Sequence, residues 1–349
     1  MTEQIAVMGA GAWGTALAKL LAENGNEVLI WAYEAEVAEG INKEGRNHLF
    51  LPAHKLPPSL RATNDPEEAL TGRKFVVSVV PSTHLRSVWK GLAPVLDPEA
   101  ILVSCTKGIE ISSLKLMSQV LADCLPAHPA RLRTVLSGPS FAHEVADGKH
   151  TWVVVAGTDS EICIRTQSLF TTPTFHPFFS SAHNFSVESL EVGGAVKNVM
   201  AIATGIADGM ELGRNARAAN ITRGLYEMMI VGSTFGVDPV AFAGLAGIGD
   251  LMLTCTSEMS RNYKVGQALG RGQSLSDLLK GMRVVAEGVP TSDAVYRLAN
   301  KHSINVPICE MVYRILHEGL TSREAVDRLC EIPLKEELGG LLKLRALIK

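Results

Sequence analysis

The chain is poor in the features that mark several protein classes. Its six cysteines (105, 124, 163, 255, 309 and 330) are scattered over 349 residues, with no C-x-x-C and no Cys/His cluster. That spacing argues against a structural zinc site or a disulfide scaffold and fits small buried thiols in a reducing cytoplasm; no metal site is expected. A net charge of −3 leaves no basic surplus to attract nucleic acid or an anionic membrane. No uninterrupted apolar stretch reaches the roughly 18 residues that a membrane span needs, so stable membrane insertion is not expected. The N-terminus runs into a strand-like segment without the charged and apolar regions of a secretory signal. Internal repeats and low-complexity tracts are missing. What remains is a globular composition, 46% hydrophobic and 20% charged, on a chain long enough for two domains.

The opening segment carries the strongest pattern. Ile5-Ala-Val-Met-Gly-Ala-Gly-Ala-Trp-Gly14 reads as a buried strand followed by G-x-G-x-x-G, with a helix starting at the third glycine. Gly9 suits a tight turn, Gly11 lets a pyrophosphate approach the backbone, and Gly14 lets helix and strand pack closely. The helix N-terminus offers N–H groups and partial positive charge to phosphates. With a second strand at Glu27–Trp31 the unit is βαβ, the context a dinucleotide site requires.

Further β-branched runs at 74–80, 100–104, 134–137 and 151–156 predict a mostly parallel sheet covered on both faces, with 46–58 as an irregular loop. Past residue 185 strand-like runs cease. Helical stretches follow at 193–210, 215–235, 262–269, 291–301, 308–318 and 322–329. The reading is therefore an α/β, Rossmann-type doubly wound domain over 1–185 and an all-helical domain over 186–349.

Ligands bind at the carboxyl ends of parallel strands, and three such ends are polar. In Val80-Pro-Ser-Thr-His84, Ser82 either faces a cofactor or caps the next helix. In Ser104-Cys-Thr-Lys-Gly108, Lys107 either sits beside a phosphate or carbonyl oxygen or is a solvated turn lysine. In Ser137-Gly-Pro-Ser-Phe-Ala142, Gly138 and Ser140 form a small anion or hydroxyl site or serve as a simple helix cap. In the helical part, Lys197 lies in a small, apolar helical run after Gly193 and Gly194, where it either snorkels to water or is desolvated with a lowered pKa. Asp250 leaves a glycine-rich turn into an apolar stretch and needs a partner, for which a lysine is the natural choice. Ser260-Arg261-Asn262 opens another helix, either as a phosphate receptor or as a cap with an exposed arginine.

Seven segments taken together resemble the NAD(P)-dependent glycerol-3-phosphate dehydrogenase family along nearly the whole chain. They are Gly-Ala-Gly-Ala-Trp-Gly, Cys-Thr-Lys-Gly, Ser-Gly-Pro-Ser-Phe-Ala, Gly-Ala-Val-Lys-Asn, Gly-Ile-Gly-Asp-Leu, Ser-Arg-Asn and Ala-Glu-Gly-Val. The resemblance implies a 6-phosphogluconate dehydrogenase-like fold and reduction of a phosphorylated triose, dihydroxyacetone phosphate, to sn-glycerol 3-phosphate for glycerophospholipid synthesis. NADPH or NADH would be the cofactor, and a homodimer is a compatible assembly. It implies Lys197 as general acid/base, held by Asp250, with Lys107 polarising the substrate. Gly138, Ser140, Ser260, Arg261 and Asn262 would line the substrate, together with Lys107, Lys197 and Asp250. Gly9, Gly11, Ala12, Trp13, Gly14, Tyr33, Lys107, Ala142, Arg261, Val285 and Glu287 would contact the cofactor. At the end of the second strand, where many members carry Arg or His, this chain has Tyr33-Glu34. Glu34 either binds the ribose hydroxyls or faces solvent beside a tyrosine that stacks on adenine. Competing readings are a related dehydrogenase of a carboxylate substrate, a cysteine-nucleophile dehydrogenase built on Cys255, and a dinucleotide-binding redox sensor without turnover.

Overall fold

A computed structural model of the chain describes residues 2–181, 187–280, 286–333 and 336–337. The described residues fall into two compact units. The first comprises Met1–Thr106 with Met117–Val187, and the second Lys107–Leu116 with Glu188–Lys349. A boundary drawn once, between 185 and 186, therefore misassigns Lys107–Leu116, ten residues that follow a strand of the first unit yet pack within the second. The apolar residues of that segment account for this, since Ile109 and Leu116 are buried among helices of the second unit.

The first unit is one eight-stranded sheet. In chain order its strands are β1 (Gln4–Met8), β2 (Glu27–Trp31), β3 (Leu60–Thr63), β4 (Phe75–Ser78), β5 (Ile101–Ser104), β6 (Arg133–Ser137), β7 (Thr151–Gly157) and β8 (Phe175–Ser181). They lie in the order β3-β2-β1-β4-β5-β6-β7-β8. Every pairing is parallel except β6 with β7. The first six strands have the doubly wound dinucleotide-binding order. Alternation along β1 divides the core between the two faces: Ile5 and Val7 pack with Leu17 and Leu21, while Ala6 and Met8 pack with Trp89 and Leu121.

Two edge strands escape the pattern reading. β3 is four residues long and carries Arg61, and β8 contains Pro177. Short, charged or proline-bearing strands are tolerated at edges because no further strand needs their hydrogen bonds.

The second unit is helical. Its principal elements are Val187–Gly209, Arg214–Ser233, Asp250–Thr256, Arg261–Gly270, Gly288–His302, Pro307–His317 and Ser322–Cys330. The helix Val187–Gly209 is long and apolar enough, by length and composition, to cross a membrane, although Glu188, Glu191 and Lys197 interrupt its apolar run. Its apolar window is 94% buried inside the protein, so it is the central core helix of this unit.

Candidate active site

The glycine turn of the first unit has the local geometry that a pyrophosphate requires. Gly9 has φ +118°, and a Cβ there would lie 2.8 Å from the Val79 carbonyl oxygen. A Cβ on Gly14 would lie 1.9 Å from the Gly9 carbonyl oxygen, so only glycine lets helix Ala12–Glu23 sit this close to the turn. At Gly11 a Cβ would meet nothing within 4 Å, which leaves an open approach to the backbone. The helix begins at Ala12 with Gly11 as its N-cap, two residues earlier than the third glycine, and no side chain caps it. Its first-turn N–H groups are thus oriented for an anion. Trp13 Nε1, in that first turn, is buried without a hydrogen-bond partner. A polar atom buried unsatisfied is costly unless a ligand completes it. These features fit a dinucleotide.

Asn47, absent from the sequence reading, holds the irregular 46–58 loop against this turn. It is fully buried and donates to Ala10 O and Thr15 Oγ1, both at 2.8 Å, while its Oδ1 accepts from Phe50 N at 3.0 Å. Tyr33 is 81% exposed, edge-on to Trp31. Glu34 precedes helix Ala35–Glu44 without capping it through its side chain. Ala142 begins the helix Ala142–Ala146, which packs against helix Ala12–Glu23.

At two strand ends the helix N-cap falls on a residue other than the serine. The helix after Ser82 has His84 as its N-cap. For the helix after Ser140, Phe141 takes that position, and Ser140 Oγ donates to Gly138 O at 2.9 Å. Gly138, with φ +145°, permits close approach of Val153 in β7, whose Cα would lie 2.9 Å from an added Cβ. The glycine is required by the sheet itself.

The second unit gathers the three residues expected to carry chemistry. Asp250, fully buried, opens helix Asp250–Thr256. Its Oδ2 accepts from Lys107 Nζ at 3.0 Å, and its Oδ1 accepts from Lys197 Nζ. Lys107 is therefore paired and only 20% exposed, not a solvated turn lysine. Lys197 is desolvated, with 8% of its side chain exposed, so the snorkelling alternative fails. Burial pushes its ammonium down to about 7; the Asp250 charge opposes this and the Lys107 charge adds to it. Such a group exchanges a proton near neutral pH.

Local sequence explains the pairing. A Cβ on Gly193 would lie 2.2 Å from the Ala246 carbonyl oxygen, so the lysine helix touches the Leu245–Gly249 turn backbone to backbone. Lys197 and Asp250 each lie four residues beyond those contact points and so meet one turn later. The space beside Gly193 is thus filled by the Ala246 carbonyl. Thr254, missed in the sequence, donates from Oγ1 to Asp250 O at 2.6 Å. The i, i+4 spacing from Asp250 was the available signal. Cys255 is buried beside the pair, and burial pushes its thiol up to about 12, which argues against a thiolate nucleophile.

Ser260 caps helix Arg261–Gly270 by accepting from Tyr263 N at 3.2 Å. Arg261 is exposed at the first helical position. Protein packed around it lowers its guanidinium from the ordinary value, and Glu287 opposes that shift. Asn262 is buried and engaged at both ends of its amide: Nδ2 donates to Asn198 Oδ1 at 2.9 Å, and Oδ1 accepts from Gly288 N at 2.9 Å. Glu287 immediately precedes helix Gly288–His302, and Val285 lies outside the described residues.

A doubly wound dinucleotide fold on one chain with a desolvated lysine–carboxylate pair defines a nicotinamide-dependent dehydrogenase of two-unit plan. The chain belongs to the NAD-dependent glycerol-3-phosphate dehydrogenase family, whose N-terminal sequence model matches residues 4–163 and whose C-terminal model matches 186–327. A glycerol-3-phosphate dehydrogenase [NAD(P)+] of Geobacter sulfurreducens is 50% identical over 97% of this chain and 99% of its own length. One from Streptomyces griseus is 45% identical over 95% and 97%. The crystal structure of glycerol-3-phosphate dehydrogenase from Coxiella burnetii superposes with a TM-score of 0.89 at 39% identity, covering 95% of this chain and 99% of that one. A ketopantoate reductase from Ralstonia eutropha shares the fold at TM-score 0.57 and 17% identity, covering 94% of this chain and 100% of that one.

Proposed function

We propose that the chain reduces dihydroxyacetone phosphate to sn-glycerol 3-phosphate, reversibly, with NADH or NADPH, and so supplies the backbone of glycerophospholipids. The observation that carries this reading is Lys197, buried against Asp250 with its pKa brought to about 7. When bound, the nicotinamide would supply a hydride to C2 of the ketone. As that C–H bond forms, the C=O π pair moves onto oxygen, which the Lys197 ammonium stabilises and then protonates. Asp250 holds the lysine in place through Oδ1, and Lys107, on Oδ2, contributes a second positive charge toward the developing alkoxide. In the reverse direction neutral Lys197 takes the hydroxyl proton as hydride leaves C2.

Ser260, Arg261 and Asn262 mark the phosphate end. An arginine at a helix N-terminus suits a phosphate dianion, because the planar fork and the helix N–H groups act together. Asn262, already bonded on both sides, serves as the fixed wall of that end. Gly9, Gly11, Ala12, Trp13 and Gly14 would bind the pyrophosphate, with Tyr33 beside the adenine and Ala142 next to the turn. The strand end at Tyr33-Glu34 offers no arginine for a 2′-phosphate and one carboxylate for ribose hydroxyls, a set compatible with either cofactor. The buried thiols of Cys163, Cys255 and Cys309 support a reducing, cytoplasmic setting. The test is oxidation of NADH and of NADPH by the purified protein with dihydroxyacetone phosphate, and with dihydroxyacetone as control. Turnover with the phosphorylated ketone is expected with both cofactors. Equal rates on the two ketones would remove the phosphate assignment, and turnover of 2-keto acids instead would favour the carboxylate reading.

A further inference from the structure

The helix that carries Lys197 and the helix that begins at Arg261 meet backbone to backbone at four glycines. A Cβ on Gly205 would lie 2.2 Å from Tyr263 O, and one on Gly209 would lie 2.2 Å from Gln267 O. The relation is reciprocal: a Cβ on Gly266 would lie 2.1 Å from Ile202 O, and one on Gly270 would lie 2.3 Å from Ile206 O. Each helix therefore presses glycines spaced four apart onto the carbonyl oxygens of the other. A second, independent tie lies at the chemical end of this seam. Asn198, next to Lys197, accepts from Asn262, next to Arg261, at 2.9 Å, and both side chains are buried. A further side-chain tie joins the same helices: Tyr263 Oη donates to Asp208 at 2.6 Å, with Arg217 on the same carboxylate at 2.8 Å.

We infer that this glycine seam is a ruler: Gly205, Gly209, Gly266 and Gly270 set the spacing between the Lys197 and Arg261 ends of the site and so select the length of the phosphorylated ketone. The inference rests on the reading of Lys197 as proton donor and Arg261 as phosphate ligand. A short ketone phosphate has a limited reach and can touch both ends only if their separation lies within it. An alanine in the seam must move one helix away from the other by about an ångström to reach ordinary contact distance. A misplacement of that size costs on the order of a hundredfold in a reaction that needs both ends at once. A substrate that uses only the lysine end feels little of it.

The experiment compares kcat/KM for dihydroxyacetone phosphate, for dihydroxyacetone, and for the phosphorylated ketone with one extra methylene between carbonyl and phosphate. It does so in the wild type, Gly266→Ala and Gly270→Ala. Ratios taken on one preparation do not depend on how much of it is folded, and Gly270, at the end of its helix, is the gentler site. The expected result is a fall of about tenfold or more in the preference for the phosphate over dihydroxyacetone, larger for Gly266→Ala, with a relative gain for the longer ketone. Unchanged ratios in both variants, with a wild type that prefers the phosphate, would overturn the ruler. A wild type without that preference would instead overturn the phosphate reading on which it stands.

Discussion

Both units use glycine for close packing, as at Gly14 and Gly138 in the first, but they differ in what else its missing side chain provides. In the first unit, Gly9 adopts a left-handed φ of +118° and Gly11 faces open space, so the missing side chains expose backbone to a ligand. In the second, Gly193, Gly205 and Gly266 each stand where a Cβ would lie within about 2.2 Å of another segment's carbonyl, so the missing side chains bring backbone against backbone. The first unit presents main chain at its glycine turn, a feature legible in a short motif. The second works by desolvation: close packing strips water from one lysine and presents it to one buried carboxylate.

The contrast is broken most forcefully at Lys197. Lys197→Met should keep cofactor binding, read by quenching of protein fluorescence, and lower kcat by about two orders of magnitude or more. Near-normal turnover would remove Lys197 from the chemistry. On the other side, Gly14→Ala inserts a methyl 1.9 Å from the Gly9 carbonyl oxygen. It should weaken the dinucleotide at least tenfold and destabilise the fold by about 1–3 kcal/mol, read by titration calorimetry and thermal unfolding. An unaltered Kd would mean that the turn does not bind the pyrophosphate.

How much of this was legible follows from the same difference. Strands β1, β2, β4, β5, β6 and β7 announce themselves as apolar or β-branched runs, and the glycine turn by its spacing. The edge strands β3 and β8 do not, because an edge needs neither length nor uniform hydrophobicity. Lys197 and Asp250 could be singled out as charges in apolar surroundings, but their pairing depends on the Gly193–Ala246 contact, which is tertiary. Asn47 and Thr254 looked like ordinary polar residues; only the fold shows that one fastens a loop to the glycine turn and that the other donates to the backbone carbonyl of Asp250. The segment Lys107–Leu116 changes units without any composition signal, and that hid the Lys107–Asp250 bond.

Two smaller effects sharpen the comparison. Arg261→Lys keeps the charge but loses the planar fork, and kcat/KM for dihydroxyacetone phosphate should fall about tenfold while dihydroxyacetone is barely affected. Equal losses on both ketones would place Arg261 outside the phosphate end. At the cofactor side, Glu34→Gln should shift the kcat/KM ratio toward NADPH by on the order of 1 kcal/mol, measured at fixed salt, because a repulsion with the 2′-phosphate is removed. An unchanged ratio would mean that Glu34 points away from the ribose.

The central claim is that burial makes Lys197 a proton donor near neutral pH, and the pH dependence of ketone reduction tests it most directly. Reduction needs the protonated amine, so log kcat/KM should be level at low pH and fall as pH rises through about 7, the value to which burial brings Lys197. Asp250→Asn removes the negative charge that favours the ammonium, so in that variant the fall should move to lower pH. A wild-type profile that stays level to beyond pH 9, or one that Asp250→Asn leaves in place, would contradict the account.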